Sequence, residues 1–410
     1  MKCRHCGHAL AQPFLDLGSA PPSNAYLTSA ALAGPETWFP LRILVCGHCW
    51  LVQTEDHAGR ELLFADDYAY FSSFSSSWLA HARKYVESML QRFGLGASSL
   101  VVEVAANDGY LLQYVQQAGV PCYGIEPTSG TAAAARALGL RVVERFFGIA
   151  LASELAAAGQ KADLIVANNV LAHVPDINDF VAGFACLLKP AGVATFEFPH
   201  LLRMVQGCQF DTAYHEHYSY LSLTAVQRIF SANGLTLFDV EELATHGGSL
   251  RVFAQRAQTG AQPLSPQVAA LLAQEQQHGM LGLAFYQGMQ RDALRIKNGL
   301  WRFLLQAQAE GRRVGAYGAA AKGNTLLNFA GVRPDLLPYV VDLNPAKQGR
   351  FMPGSRIPIV DMAHLSADRP DYVLILPWNI KAELMAQLQG IGEWGGRFVT
   401  AVPALEVSQP

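Results

Sequence analysis

No uninterrupted apolar run in the sequence approaches the ~20 residues a bilayer-spanning helix requires, so no membrane partner is expected. Charge is scarce as well. Only 15% of residues are charged, the formal net charge is −3, and no run of Lys and Arg compensates locally. Without a basic field, nucleic acid is not an expected partner. The first residues, Met1-Lys2-Cys3-Arg4-His5-Cys6, have no apolar signal region, and a cytoplasmic location is expected. Internal repeats and low-complexity tails are absent too. What is plentiful is apolar material, 51% of 410 residues, enough to core about two to four domains.

The pattern along the chain changes three times. Up to about Phe64, short strands and turns surround two cysteine pairs. A Ser- and aromatic-rich stretch then leads into a helix expected at Ser77–Arg92. Strands at Ser99–Val104, Pro121–Ile125, Arg141–Val143, Ala162–Ala167 and Gly192–Phe198 alternate with helices at Tyr110–Gln117, Ala132–Leu138 and Ile177–Leu188. That alternation predicts a parallel sheet covered on both faces. After Arg251 one or two long helices occupy Ser265 to about Glu310. A second strand-turn-helix unit follows at Arg313–Tyr317, Gly318–Gly323 and Asn324–Phe329, with strands at Tyr339–Val341 and Tyr372–Leu376. The expected fold class is therefore α/β, with a small cysteine-bearing module at 1–66, a Rossmann-like unit at 67–245, and a helical linker plus a second Rossmann-like unit at 246–410.

Cys3-Arg-His-Cys6 and Cys46-Gly-His-Cys49 are two CxxC knuckles. Each turns two thiolates toward one point, and together they make a closed tetrahedral zinc site of structural type. His5 and His48 sit inside the knuckles and are poorer ligand candidates; Cys122, Cys186 and Cys208 stand alone and read as inert thiols.

The junction Glu103-Val104-Ala105-Ala106-Asn107-Asp108-Gly109 joins a buried strand to a helix whose N-terminus carries partial positive charge. It lacks the G-x-G-x-x-G that would seat a pyrophosphate there. Glu126 ends the next strand, where a carboxylate can take ribose hydroxyls, and Pro127 follows it. An acidic residue without the glycine fingerprint suits S-adenosylmethionine better than NAD. Phe146 and Phe147 are candidates to pack on adenine, and Asn168-Asn169 ends the fourth strand at the same sheet edge.

The densest chemistry is Phe210-Asp211-Thr212-Ala213-Tyr214-His215-Glu216-His217-Tyr218-Ser219. Two readings are open. His200, His215, Glu216 and His217 are possible metal ligands, although on an extended segment only His215 and His217 share a face. Alternatively, one histidine is a general base, oriented by a carboxylate and flanked by a tyrosine.

This run resembles the central motif of the sugar C-methyltransferases that make branched deoxysugars. Cys3, Cys6, Cys46 and Cys49 resemble that family's zinc ligands, Glu103–Gly109 its cofactor loop, and Asn168–His173 its Asn-Asn-Val-x-Ala-His segment. His246-Gly-Gly-Ser-Leu-Arg251, Gly318–Thr325 and Val341–Gly349 resemble its later motifs, so the likeness runs the length of the chain. The resemblance implies S-adenosylmethionine and structural zinc as cofactors and a nucleotide-linked 4-keto sugar as substrate. It implies that His217 removes the acidic hydrogen beside the ketone. Glu216 and Tyr214 would orient groups and hydrogen-bond the substrate oxygen, with Tyr68 or Tyr70 and His173 as further active-site groups. Lys322, Lys347, Arg251 and Arg350 are candidates to meet a diphosphate, and Ser249 and Asn324 to hydrogen-bond sugar or phosphate. Each of these last six also reads as a surface cation or a turn residue.

Overall fold

The structure is a computed structural model, and it describes residues 1–57, 59, 63 and 71–410. Tyr68 and Tyr70 lie outside the described residues.

Strands β1 (Gln12–Ala20), β2 (Phe39–Val45) and β3 (Val52–Thr54) form an antiparallel meander beside the cysteine knuckles. A fourth strand joins its edge from far along the chain: Val52 pairs with Tyr220 and Gln53 with Ser219.

The central sheet has seven strands. β4 (Val101–Val104), β5 (Cys122–Ile125), β6 (Val142–Val143), β7 (Ala162–Asn168) and β8 (Leu188–Pro199) are parallel. The distant strand Ser219–Tyr220 is β9, and β10 (Leu235–Leu243) and β11 (Ser249–Arg256) close the sheet antiparallel in the order β10-β11-β8-β7-β4-β5-β6. All four residues of β4 are buried, as expected of a strand covered on both faces. The antiparallel pair was not anticipated; β11 lies beyond position 246 yet belongs to this sheet. Helices Ile149–Ala157, Leu201–Gln206 and Leu223–Ala232 are likewise additions to the expected pattern.

The third sheet runs in the order β14-β13-β12-β15-β16-β17, from β12 (Val314–Tyr317), β13 (Val340–Val341), β14 (Ile359–Val360), β15 (Tyr372–Ile375), β16 (Arg397–Thr400) and β17 (Glu406–Ser408). Only β17 is antiparallel. The long connector is two helices, Pro266–Gln277 and Met289–Ala309. The second buries Met289, Ala293, Ile296, Leu300, Leu304 and Ala307, one apolar stripe at helical spacing. That stripe packs into a core holding Phe14, Leu15 and Ile43 of the N-terminal meander together with Val314, Leu326 and Leu327 of the third sheet and its helix. The first and last parts of the chain therefore share one core. Among the described residues no helix is long and apolar enough to cross a membrane.

Candidate active site

The cysteine knuckles converge. Cys3 Sγ lies 3.5 Å from Cys49 Sγ, Cys6 Sγ 3.5 Å from Cys46 Sγ, and all four sulfurs fall within 4.8 Å of one another. Four thiolates around one Zn²⁺ at about 2.3 Å require sulfur separations of about 3.8 Å, so these residues fit the ion. Gln53 Nε2 donates to Cys3 Sγ at 3.2 Å, an outer hydrogen bond of the kind that orients metal ligands. His5 is turned away, its Nδ1 2.8 Å from Asn178 Oδ1. His8 and His48 stack on each other at 4.2 Å.

At the carboxyl edge of β4 the loop is wound tightly. Ala105, Asn107 and Gly109 all have positive φ (60°, 50° and 81°). A Cβ on Gly109 would come within 2.5 Å of Leu140 Cδ1, so only glycine lets the loop settle onto its neighbour. Glu126 stabilises the turn: its Oε2 accepts from the Asn107 N–H at 2.9 Å, while Oε1 accepts from the N–H and hydroxyl of Thr128. Asn107 Oδ1 and Asp108 Oδ2 accept from the N–H groups of Ser72 and Ser73 at 2.9 and 3.0 Å. Glu103 is 1% exposed; burial, reinforced by the charges of Asp108 and Glu126 and only partly offset by the Tyr110 side chain, pushes it well above the usual carboxylate range. Asn168 Oδ1 and Asn169 Oδ1 at the end of β7 are buried without partners. Three carboxylates and two orphaned amide oxygens around one sheet edge suit a ligand that carries positive charge, as a sulfonium amino acid does, and oppose a pyrophosphate.

Pro127 is half-buried directly after the Glu126 carboxylate, and Phe146 is half-buried at the same edge. Phe147 is a correction. Its ring stands edge-on to Phe180 at 5.6 Å and Phe184 at 5.1 Å inside the core, where its apolar area is better spent than at a pocket lip.

The stretch Phe210–Tyr218 is held from both sides. From the N-terminal meander, Thr54 Oγ1 donates to the His217 carbonyl at 2.6 Å and the Thr54 N–H to the Tyr218 carbonyl at 3.1 Å. From the C-terminal unit, Thr325 Oγ1 donates to the Ala213 carbonyl at 2.8 Å and Trp378 Nε1 to Asp211 Oδ2 at 2.7 Å. Between these supports His217 is 9% exposed. Its Nδ1 lies 2.8 Å from the Thr212 carbonyl, which can only accept, so Nδ1 carries the proton and Nε2 keeps its lone pair. The Tyr214 ring lies 3.9 Å from the imidazole and the His173 ring 4.6 Å. Burial, with His173 and Lys322 nearby, pushes His217 well below the usual histidine range. His173, held down to about 4 by burial, stands four residues beyond Asn169, so this pair of imidazoles lies at the carboxyl edge of the central sheet.

Glu216 is 1% exposed; Oε1 accepts from Asn24 Nδ2 at 3.2 Å, Oε2 has no partner, and burial raises the group to about 7. His200 and His215 do not join His217. His200 is fully buried against Glu275 at 2.7 Å, and His215 Nε2 lies 3.2 Å from the Pro40 carbonyl. Among the described residues the metal-ligand groups are confined to the zinc module, so the metal reading of this stretch has no converging ligand set.

The expected diphosphate contacts differ in how far they are already engaged. Arg251 is committed to Glu197 at 3.0 Å and Glu241 at 3.1 Å, and Ser249 Oγ donates to the Thr245 carbonyl at 3.0 Å. Lys347 Nζ donates to the Ala319 carbonyl at 2.9 Å and pairs with Asp342 at 3.6 Å. Arg350 is half-buried with no ion pair among the described residues. Lys322 lies in the first turn of helix Ala321–Ala330 rather than in a loop before it. Asn324 is 1% exposed with both ends of its amide unpartnered.

Asn24, Asp211, Glu197, His81 and Trp378 were not anticipated. Asp211 stood within the dense stretch, and Trp378 follows β15 at a carboxyl edge, where side chains of this sheet type meet ligands. Asn24 and His81 carried no sequence signal, because long-range pairing alone brings them in. His81 Nε2 lies 2.9 Å from Glu197 Oε2, and its ring stacks on Trp78 at 4.8 Å.

Comparison with known proteins gives three family models in chain order: a zinc binding domain over residues 3–64, a methyltransferase domain over 78–240, and a C-methyltransferase C-terminal domain over 244–403. The C-methyltransferase NovU of Streptomyces niveus is 34% identical over 402 residues, spanning 98% of this chain and 95% of that protein. Among solved structures, magnesium protoporphyrin IX methyltransferase from Synechocystis with bound SAM is 18% identical, covering 44% of this chain and 82% of its own, with a TM-score of 0.33. An S-adenosylmethionine-dependent methyltransferase from Clostridium acetobutylicum is 11% identical, covering 45% and 92%, with a TM-score of 0.36.

Proposed function

The chain belongs to the C-methyltransferase family, and on that premise we propose that it methylates a ring carbon of a nucleotide-linked 4-keto-deoxysugar, with S-adenosylmethionine as donor. The specific reading is a dTDP-linked sugar methylated at C-3. The observation that carries it is the buried His217, its Nδ1 bonded to the Thr212 carbonyl and its ring against His173 beside Asn168 and Asn169. A neutral imidazole with one nitrogen anchored is a base waiting for a weakly acidic C–H.

The cofactor supplies a methyl group on a positively charged sulfur. The protein's part is proton transfer and position. His217 Nε2 takes the hydrogen from the carbon beside the ketone, and the electron pair of that C–H bond spreads onto the carbonyl oxygen. S-adenosylmethionine, held by Asn107, Gly109, Asn168 and Asn169, would supply the methyl group to that carbon with the methyl–sulfur pair left on sulfur, and the ketone would re-form. Glu103, Asp108 and Glu126 favour the cationic donor, and Asn107, Gly109, Asn168 and Asn169 shape its cradle. Tyr214 and Glu216 orient the acceptor, and the four cysteines hold zinc as a structural ion. The roles of His173, Ser249, Arg251 and Lys347 are positional, through the contacts described above, and the unengaged amide of Asn324 is left to hydrogen-bond the acceptor.

The test is direct. Enzyme, S-adenosylmethionine and a set of nucleotide-linked 4-keto-6-deoxy sugars should give a product heavier by one methylene in the mass spectrum. His217→Asn should abolish that product while S-adenosylmethionine still raises the melting temperature. Undiminished turnover by that variant would remove His217 from its role.

A further inference from the structure

The C-terminal sheet has the crevice at which open α/β sheets bind ligands, between the loop after β12 and the loop after β15. Here that crevice is shut. A Cβ on Gly318 would meet Pro377 Cδ at 2.5 Å, and one on Gly323 would meet Leu376 Cβ at 2.8 Å. A dinucleotide has no room. What the closed crevice presents instead is Lys322, its Nζ donating to Asn379 Oδ1 at 2.9 Å and lying 4.7 Å from the Trp378 ring. Trp378 in turn holds Asp211, the residue before the Thr212 whose carbonyl anchors His217.

Two features make Lys322 unusual. Among the described residues no carboxylate lies within 4.0 Å of its Nζ, and only one of its three donors is used. Arg251 and Lys347, by contrast, are already neutralised by carboxylates. Beside Lys322, Asn324 offers a buried amide with no partner, and Asp211 Oδ1 is buried and unpartnered across the junction. Lys322 is thus joined through Trp378, Asp211 and Thr212 to the His217 imidazole, and its charge is among those that depress His217 and His246. A diphosphate would bring more than one negative charge to a cation that already has the Asp211 carboxyl as an electrostatic neighbour. One developing oxyanion brings one.

We propose that Lys322 is a catalytic residue whose ammonium group stands against the acceptor's carbonyl oxygen and stabilises the negative charge that appears there when His217 removes the neighbouring hydrogen. This rests on the keto-sugar reading above. As the C–H pair moves into the ring and the carbonyl pair moves to oxygen, the O⁻ forms beside the ammonium; no proton leaves Lys322, and the charge is returned when the carbon bonds to methyl.

The step can be read without methyl transfer. In D₂O with no S-adenosylmethionine, wild-type enzyme should exchange the hydrogen beside the ketone of a nucleotide-linked 4-keto-6-deoxy sugar, followed by mass spectrometry. Lys322→Met should slow both exchange and methyl-transfer kcat on the order of a hundredfold, with sugar-nucleotide KM and S-adenosylmethionine Kd changed less than threefold. Lys322→Gln, which keeps a hydrogen bond to Asn379, should behave alike and guards against a folding defect in the first variant. Exchange at the wild-type rate in a folded variant overturns the assignment. So does a raised KM with unchanged kcat, which would make Lys322 a phosphate contact. If wild-type enzyme neither exchanges nor methylates any such sugar, the substrate reading itself fails, and the role of Lys322 falls with it.

Discussion

Replacing Glu216 by Gln removes a carboxylate that burial holds at about 7 instead of the ordinary 4.5, while leaving an amide oxygen to accept from Asn24. Between those two values the folded protein keeps the proton and the unfolded chain gives it up. The folded state therefore binds more protons, and wild-type stability falls as pH rises through that window. A displacement of about 2.5 units corresponds to about 3 kcal/mol once the group is fully ionised. Most of that cost, about 2.5 kcal/mol, is added between pH 5 and pH 8. Unfolding entropy of about 2.1 cal/mol/K per residue converts this into a melting-temperature change of about 3 °C for a chain of 410 residues. The assay is a pair of thermal melts of wild type and Glu216→Gln at each pH, so that every other titrating group cancels. The variant's advantage should widen by about 3 °C from pH 5 to pH 8. A gap that stays constant, or a variant that loses ground at pH 8, would show that the Glu216 carboxylate is ionised at no cost and that the burial argument is wrong.

Because His217 is pushed well below the ordinary histidine range, it is neutral at every pH above that depressed value, and the acid limb of wild-type kcat/KM assigned to it should lie below pH 6.5; a wild-type acid limb at or above 6.5 would contradict this. Cys46→Ser removes a fully buried sulfur from the four-cysteine site, and should lower bound zinc by elemental analysis and the melting temperature together; full zinc content with an unchanged melt would refute the shared site. Gly109→Ala puts a methyl group 2.5 Å from Leu140 at a φ of +81°, and should cost about 1–3 kcal/mol in urea unfolding and weaken S-adenosylmethionine binding by calorimetry; unaltered stability would mean the loop relaxes freely.

Local signals carried the fold a long way. The spacing of Cys3, Cys6, Cys46 and Cys49 announced one site, because a CxxC turn constrains its own thiolates without help from the rest of the chain. The run Val101–Gly109 announced a strand, a tight loop and a helix, because burial on both faces and small residues at the junction leave a mark within a few positions. The same holds for Gly318–Thr325. What stayed hidden depends on partners chosen at long range. Nothing in Ser219-Tyr220 says that these residues will extend a meander begun at Gln12, and nothing in Arg251 says that Glu197 and Glu241 will neutralise it. Phe146 and Phe147 are adjacent and chemically alike, and only the packing of Phe180 and Phe184 decides that the second belongs to the interior.

The pairing of β3 with β9, facing the bond from Thr325 to the Ala213 carbonyl, has a consequence for how the molecule comes into being. Synthesis proceeds from one end, so every strand of the meander and of the seven-stranded sheet is made before the third sheet that completes the meander's core. At that moment Asp211 Oδ2 and the Ala213 carbonyl still lack their donors Trp378 and Thr325, and the imidazole that depends on their loop has one of its two supports missing. A product truncated before residue 321 would contain every residue proposed for the donor cradle yet lack the donors that clamp the His217 loop. The proposed donor cradle and the second support of His217 are thereby made at different times, the last third of the polypeptide supplying the latter.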